Sequence, residues 1–548
     1  MKRMSVKLPI AVVLLASLVA GCGSQGSTGA SPGGGNAPGG NGSGGNAGSV
    51  ATGTKTLDMA TNADPNFNPW SPTGFLESEP ITELVFNGLT KWGLNYQPEP
   101  DLATDWSVSK DGLTWTFNLR KGVKWSDGQP FTSADVVYTF ENIVLNKSLG
   151  ANGASNYKDL QKVVATSDTQ VQFILKKPWA SLPTYLAYYT KILPKHIFNG
   201  QNPWKLTSFD KGQPIGTGPY KVTNYVSGQY VELQPNPDYY GSKPKIPKII
   251  FHIIPDVNTQ IAQLLSGNLE YVTIPDPALV AKLKSDPNIQ VNAVMSNIWY
   301  WVALNLSEPR FQDVRVRQAL EYAINRKAMI EGIMKGYGQE ATGPIAPVQQ
   351  HWYNGNVQQY SYDPQKAKEL LKEAGYTPGP NGILQKNGQP FVINMPTGQY
   401  GVLTPASELV QQYWQAIGVK VNLNVMDWNS FIKQVVVNRK YDASLAWWST
   451  PTDPDQYAYF ASENAQTGYN IPGYKNPQLD KLFQDANAAT SDAQRVQDYQ
   501  QAQDIIAKQL PYLFLWWPKT IQATAKNLTI PNVGLVQAED HVTDWTLN

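Results

Sequence analysis

Residues 23–54 consist almost wholly of Gly, Ser, Asn and Ala. A stretch so poor in apolar side chains cannot bury enough surface to offset the entropy of ordering it. Folding therefore starts at about residue 55. Ahead of that stretch, Lys2, Arg3 and Lys7 precede an apolar run from Leu8 to Val19, too short to cross a hydrocarbon core of roughly 30 Å with ease. The run closes on Leu18-Val19-Ala20-Gly21-Cys22, and Cys22 is the one cysteine of the chain. No internal disulfide and no cysteine-based zinc site can then be built.

Small residues leading into a cysteine resemble a bacterial lipobox. That resemblance implies a lipoprotein signal peptide over 1–22, lipidation at Cys22, and a flexible tether over 23–54. About 30 such residues have an r.m.s. reach of roughly 30 Å. The whole chain carries 44 basic against 43 acidic residues, and three of the basic ones lie in the leader, leaving 41. A near-neutral chain has no electrostatic footprint for nucleic acid and no polybasic membrane patch. No other run is long enough to span a bilayer. The expected place is the outer face of the cell membrane, held by lipid.

Neither an internal repeat nor a second low-complexity linker interrupts residues 55–548. Leu113-Thr114-Trp115-Thr116-Phe117-Asn118-Leu119 alternates with period two and predicts a half-buried strand before an Asp127-Gly128 turn. Helix is expected near Ser133 to Ile143, and 218–234 reads as a hairpin around Ser227-Gly228. From about 311 helical cassettes recur: Asp313 opening a helix that runs on to Gly336, Asp363-Pro364 to Gly375, Thr404-Pro405 to Gly418, then Pro477 to Ala486 and Ala493 to Leu510. Val419, Val421, Leu423 and Val425 alternate directly after Gly418, so helix feeds strand. The fold class is α/β.

Catalytic chemistry finds no support. His196, His252, His351 and His541 make no pair at metal-ligand spacing and read as ordinary surface groups, and no GxxxxGK[ST], GxSxG or HExxH is present. The pair Asp453 and Asp455 sits in a Pro-containing turn and reads as turn chemistry. Neither a metal nor a cofactor is expected.

What the chain has in excess is rings, with 17 Trp and 28 Tyr. They gather at Trp299-Tyr300-Trp301, Trp428, Trp447-Trp448 and Trp516-Trp517. Core packing is the plain explanation, and it suits Tyr300. Adjacent rings on a strand point to opposite faces, however, so a Trp-Trp pair cannot put both members into one core. One of each pair is free to face a cleft, where aromatic walls and a few polar groups bind small ligands.

Three segments carry a family resemblance: Pro98-Glu99-Pro100-Asp101-Leu102-Ala103 through Trp115-Thr116-Phe117-Asn118-Leu119-Arg120 to Lys124-Trp125-Ser126-Asp127-Gly128; Gly216-Thr217-Gly218-Pro219-Tyr220; and Phe311-Gln312-Asp313-Val314-Arg315-Val316-Arg317-Gln318-Ala319-Leu320 after Asn305. Together they resemble the extracellular solute-binding proteins of the peptide/nickel class (family 5), lipoprotein components of ABC importers, over about 60 to 520. The resemblance implies a periplasmic-binding-protein-like two-lobe α/β fold (type II, cluster C) with an extra inserted subdomain. Lobe I would use 55–95, 211–298 and 512–548, the insertion 96–210, and lobe II 299–511.

It further implies capture of an oligopeptide by lobe closure and delivery to ABC permease subunits, by a monomer that performs no catalysis. An oligosaccharide-binding member of the same family is the alternative, and a surface hydrolase the alternative of another class. The ligand contacts implied are Leu76, Trp428, Trp448, Ser449, Asn470 and Trp516. Several peptide binders of the family also carry an Asp in the loop written here Trp448-Ser449-Thr450-Pro451-Thr452-Asp453-Pro454, where it pairs with the ligand's α-ammonium. Thr450 or Pro451 stands in its place, which leaves Asp453 as the nearest stand-in.

Overall fold

The computed structural model describes residues 55–548 except 73–74, 94–95, 189, 199, 211, 450–452, 467 and 532–537. The leader, Cys22 and the tether lie outside the described residues.

An eight-stranded sheet organises the first body, in the order Ile289–Met295, Trp516–Ala525, Tyr271–Ile274, Thr56–Thr61, Lys248–Ile253, Tyr230–Pro235 and Tyr220–Val226, with Gly338–Glu340 added beside Trp516–Ala525. Thr56–Thr61 runs parallel to Lys248–Ile253. The hairpin read around Ser227-Gly228 is present: Gly228 takes φ +71°, and Asp64 accepts hydrogen bonds from the Gly228 N–H and the Ser227 hydroxyl. A separate antiparallel sheet of four strands, Ala103–Val108, Thr114–Leu119, Gln170–Leu175 and Leu160–Ser167, shares one apolar core with the inner face of the large sheet. The alternating Trp115, Phe117 and Leu119 point into that core.

The second body is built on a three-stranded antiparallel sheet, Ala443–Ser449, Ile298–Leu304 and Tyr512–Phe514, beside a parallel pair, Val392–Gly398 and Lys420–Met426. Helices Pro364–Glu373, Leu403–Ala416, Pro477–Ala488 and Asp492–Gln509 fall where caps and periodicity place them. The expected single helix from Asp313 to Gly336 is instead two, Val314–Tyr322 and Arg326–Gly332. The Asn325 side chain accepts the Ala328 N–H and so caps a fresh start where the period alone runs through.

The chain passes between the two sheets at Ser296-Asn297 and again at Leu515. Tyr512–Phe514 pairs within the second sheet, while the strand beginning at Trp516 belongs to the first. Ser296 donates both its N–H and its hydroxyl to the Pro518 carbonyl, at 3.0 and 2.9 Å, and so fastens the two crossings side by side.

Candidate functional site

Within the three-stranded sheet Tyr300 lies opposite Trp447, and Trp299 opposite Trp448. Alternate residues face opposite sides of a strand. On one side the rings form a continuous stack. Trp516 lies on Tyr300, with centroids 4.8 Å apart and planes 19° apart. Tyr300 meets Trp447 at 5.9 Å. Trp447 meets Trp428 at 5.2 Å and Tyr400 at 5.3 Å, and Trp428 continues onto Phe431 at 5.3 Å. Trp516, Trp447 and Phe431 are buried, whereas Tyr300, Tyr400 and Trp428 are half-buried. Burial pushes the Tyr300 phenol up, so it stays neutral and serves as a flat polar ring. The stack joins the two bodies: Trp516 begins a strand of the first sheet, Tyr300 and Trp447 stand on the second, and Tyr400, Trp428 and Phe431 come from a loop and a short helix of the second body.

Local chemistry fixes this geometry. Trp428 opens a short helix capped by Asp427, which accepts the Ser430 N–H at 3.0 Å; hydrogen bonds from Ser430 hold the Asp427 carboxyl below its ordinary value. The helix widens into a π-turn over Ile432–Val437. Beneath the rings lies Gly398, where a Cβ would stand 3.0 Å from Trp428 Cε3 and 3.1 Å from Phe431 Cγ. Only glycine lets the indole lie so close to that backbone.

Of the residues singled out from sequence, Trp428 and Trp516 are brought together by this stack, through Tyr300 and Trp447. Ser449 lies two positions beyond Trp447 and shares its side of the strand. Trp448 does not join them. Its ring turns to the opposite side, 5.4 Å from Trp301, 5.3 Å from Tyr459 and 5.5 Å from Tyr469, with its N–H reaching the Tyr512 hydroxyl at 3.5 Å. Asn470 is wholly enclosed: its Nδ2 donates to the Phe460, Ala461 and Tyr474 carbonyls at 3.2, 3.0 and 2.8 Å, and its Oδ1 accepts the Tyr474 N–H. Those bonds fold its own loop. Leu76 lies in the first turn of the helix Phe75–Val85, and its side chain is outside what is described.

Sequence reasoning did not single out Tyr400, and it chose Trp448 over Trp447 from their pair; Tyr300, read as core packing, is half-buried and packs against the second core. For Trp447 the signal was present, since the adjacent pair requires one ring on each side. For Tyr400 there is none, because it stands on a loop before Gly401. Asp453 is no ammonium stand-in. Its carboxylate receives Arg495 Nη2 at 2.7 and 2.8 Å, the Ser181 hydroxyl at 2.9 Å and the Asp455 N–H at 2.9 Å, and it is buried. The histidines are engaged singly, His196 with Asp127, His252 with Asp58, His351 with Asp492 and His541 with the Trp92 carbonyl. Among the described residues no group of three or more His, Cys, Asp or Glu could hold a metal ion. No described helix is long and apolar enough to cross a membrane.

Two α/β bodies joined by paired crossovers, with an inserted four-stranded sheet and rings at the junction, define the two-lobe fold of solute-binding proteins. The chain belongs to the bacterial extracellular solute-binding proteins, family 5, whose middle region matches residues 97–469. It is 31% identical over 458 residues to the oligopeptide-binding protein AppA of Bacillus subtilis, covering 82% of this chain and 84% of that one. To the dipeptide-binding protein of Escherichia coli it is 30% identical, over 84% of this chain and 89% of that one. The crystal structure of NikZ from Campylobacter jejuni in complex with Ni(L-His) superposes with a TM-score of 0.72 at 28% identity, covering 91% of this chain and 100% of that one.

Proposed function

We propose that this chain is the extracytoplasmic binding component of an ABC importer, anchored by lipid at Cys22, and that it captures oligopeptides by closing its two lobes and passes them to the permease. In this reading lobe I comprises 55–95, 211–298 and 512–548, the insertion 96–210, and lobe II 299–511, except that Tyr512–Phe514 pairs within the lobe II sheet, which moves the second handover to Leu515. The observation that carries the peptide reading is the sheet edge. Ala443–Ser449 is an outer strand of its three-stranded sheet; its beginning lies against Val392–Gly398, where the Asp442 N–H donates to the Asn394 carbonyl, and its far end, Trp447 to Ser449, runs on beside the Trp428 and Tyr400 rings. An outer strand offers N–H and C=O groups to an extended chain, and neighbouring rings offer side-chain pockets, which together make strand addition to a peptide. The relatives named for oligopeptide and dipeptide binding support the same reading over the oligosaccharide one.

The protein binds without turnover: differential contact of the ligand with both lobes favours the closed form, and no bond is broken. Titration calorimetry against a random oligopeptide pool and against cello- and xylo-oligosaccharides tests this. Heat with peptides and none with sugars is expected; sugar binding without a peptide response overturns the substrate class. Mass spectrometry of the recovered pool is expected to show intact peptides, and truncated ones would show a hydrolase.

A further inference from the structure

Beyond the crossovers, the two bodies are joined at a second place. Leu182, Leu186 and Ile192 belong to the core of the first body, and Phe483, Tyr499 and Trp352 to the core of the second. Between them, the Ala180 N–H donates to the Asn487 carbonyl at 3.0 Å. Ser181 donates its hydroxyl to Asp453 at 2.9 Å and accepts Arg495 Nη2 at 2.7 Å. Ser181 is 0% exposed, Asp453 2% and Arg495 7%, and the guanidinium lies over Trp352 and Tyr499 at 5.0 and 5.3 Å.

We propose that Ser181, closing over the Arg495–Asp453 pair, is a latch that sets the balance between closed and open lobes and thereby the residence time of the ligand, without touching it. The inference rests on the closure reading above. Both charged partners stand on the second body, so they stay paired when the lobes part; Ser181 and Ala180 are what that body loses. In the open form water solvates the pair. In the closed form water is excluded, and each polar atom of the pair left without a partner counts against closure. Ser181 supplies one acceptor and one donor at that point, so a small side chain on one lobe is read by a fixed ion pair on the other.

Two variants test the latch, Ser181→Ala, which removes the hydroxyl, and Ser181→Asp, which sets a second carboxylate against Asp453. Small-angle scattering of the unliganded proteins is expected to show a larger radius of gyration for both than for the parent, most for Ser181→Asp. Dissociation of a labelled random oligopeptide pool, chased with unlabelled pool, is expected to quicken by about 5–20-fold in Ser181→Ala. Melting of both variants should stay near that of the parent, because Ser181 sits over the pair and not within either sheet. Unchanged radius and unchanged dissociation in both variants overturn the latch. The scattering arm needs no ligand. Failure of the parent to retain the pool would therefore count against the peptide reading, while expansion of Ser181→Asp would still uphold the latch.

Discussion

Trp428 has rings on three sides, Trp447, Tyr400 and Phe431 at 5.2, 5.0 and 5.3 Å, and it is still half-exposed. It therefore serves the fold and offers surface at once. Trp428→Ala is expected to weaken oligopeptide binding by about 1–3 kcal/mol and to lower stability by about 2–3 kcal/mol through the lost ring contacts, read by calorimetry and urea unfolding. Unchanged binding would remove the ring from the site. Gly398→Ala displaces the same indole from behind without deleting it and is expected to cost affinity several-fold. A second residue couples stability to pH. Glu321 is buried, and burial pushes its carboxyl up from 4.5 to about 7 even though the Arg326 guanidinium 3.1 Å away pulls the other way. A raised carboxyl contributes nothing below the ordinary value, where both states are protonated. As pH climbs from about 4.5 to 7 the unfolded chain ionises first, so stability falls, by on the order of 2–4 kcal/mol in all. Glu321→Gln is expected to flatten the melting temperature between pH 5 and 8; an unaltered pH slope would show that other groups carry it.

At the scale of elements, the motif Asp313-Val314-Arg315-Val316-Arg317 acquires a physical role. Arg317 is buried, and its guanidinium donates to the Gln509 and Leu510 carbonyls at 2.6–3.1 Å and to the Phe311 and Gln312 carbonyls at 2.7 and 2.9 Å. It thus caps helix Asp492–Gln509 where Leu510 turns into the left-handed region, φ +45°, a turn usually given to glycine. That turn aims the chain into Tyr512–Phe514 and the second crossover. Arg326 donates to the Phe514 carbonyl at 3.1 Å, on the outer edge of the same strand. Arg317→Leu is expected to cost about 3–5 kcal/mol because several carbonyls lose their donor in a dry place, seen as a lower urea midpoint at an unchanged slope. Arg317→Lys should recover little, since an ammonium cannot fork to four carbonyls. The helices themselves were legible, because caps and 3.6-residue spacing are local. The grip of Arg317 on the end of helix Asp492–Gln509 was not, since the Gln509 carbonyl lies 192 positions away. Nor was the strand Gly338–Glu340, whose three residues carry no period and which finds its place by pairing with Trp516–Pro518.

For the whole molecule, the two-body plan was legible through its motifs, while the course of the crossing segment was not. Tyr512 and Trp516 lie four positions apart and read alike as apolar strand, yet one pairs with Ala303 in the second sheet and the other begins a strand of the first. Sorting Trp447 from Trp448 met the same obstacle: alternation puts the rings on opposite sides, yet, against the expectation that one core cannot take both, both are buried in the core of the second body, Trp447 against Trp428 and Tyr400 and Trp448 against Trp301 and Tyr512. The charge balance of 44 to 43 was legible from the start and leads to a last expectation. A ligand held along an outer strand and against rings is bound by hydrogen bonds and apolar area, and the buried carboxylate of the loop after that strand, Asp453, is already committed to Arg495. Screening should then matter little, because salt acts on exposed charges beyond a Debye length of about 10 Å at 0.1 M and 3 Å at 1 M. The affinity for a neutral, end-blocked oligopeptide is expected to change by less than about threefold between roughly 0.05 and 0.5 M salt, with the free-amine form of the same peptide behaving alike. A tenfold preference for the free amine, lost as salt rises, would mean that a carboxylate outside this stack anchors the ligand, and that rings and backbone alone do not define the site.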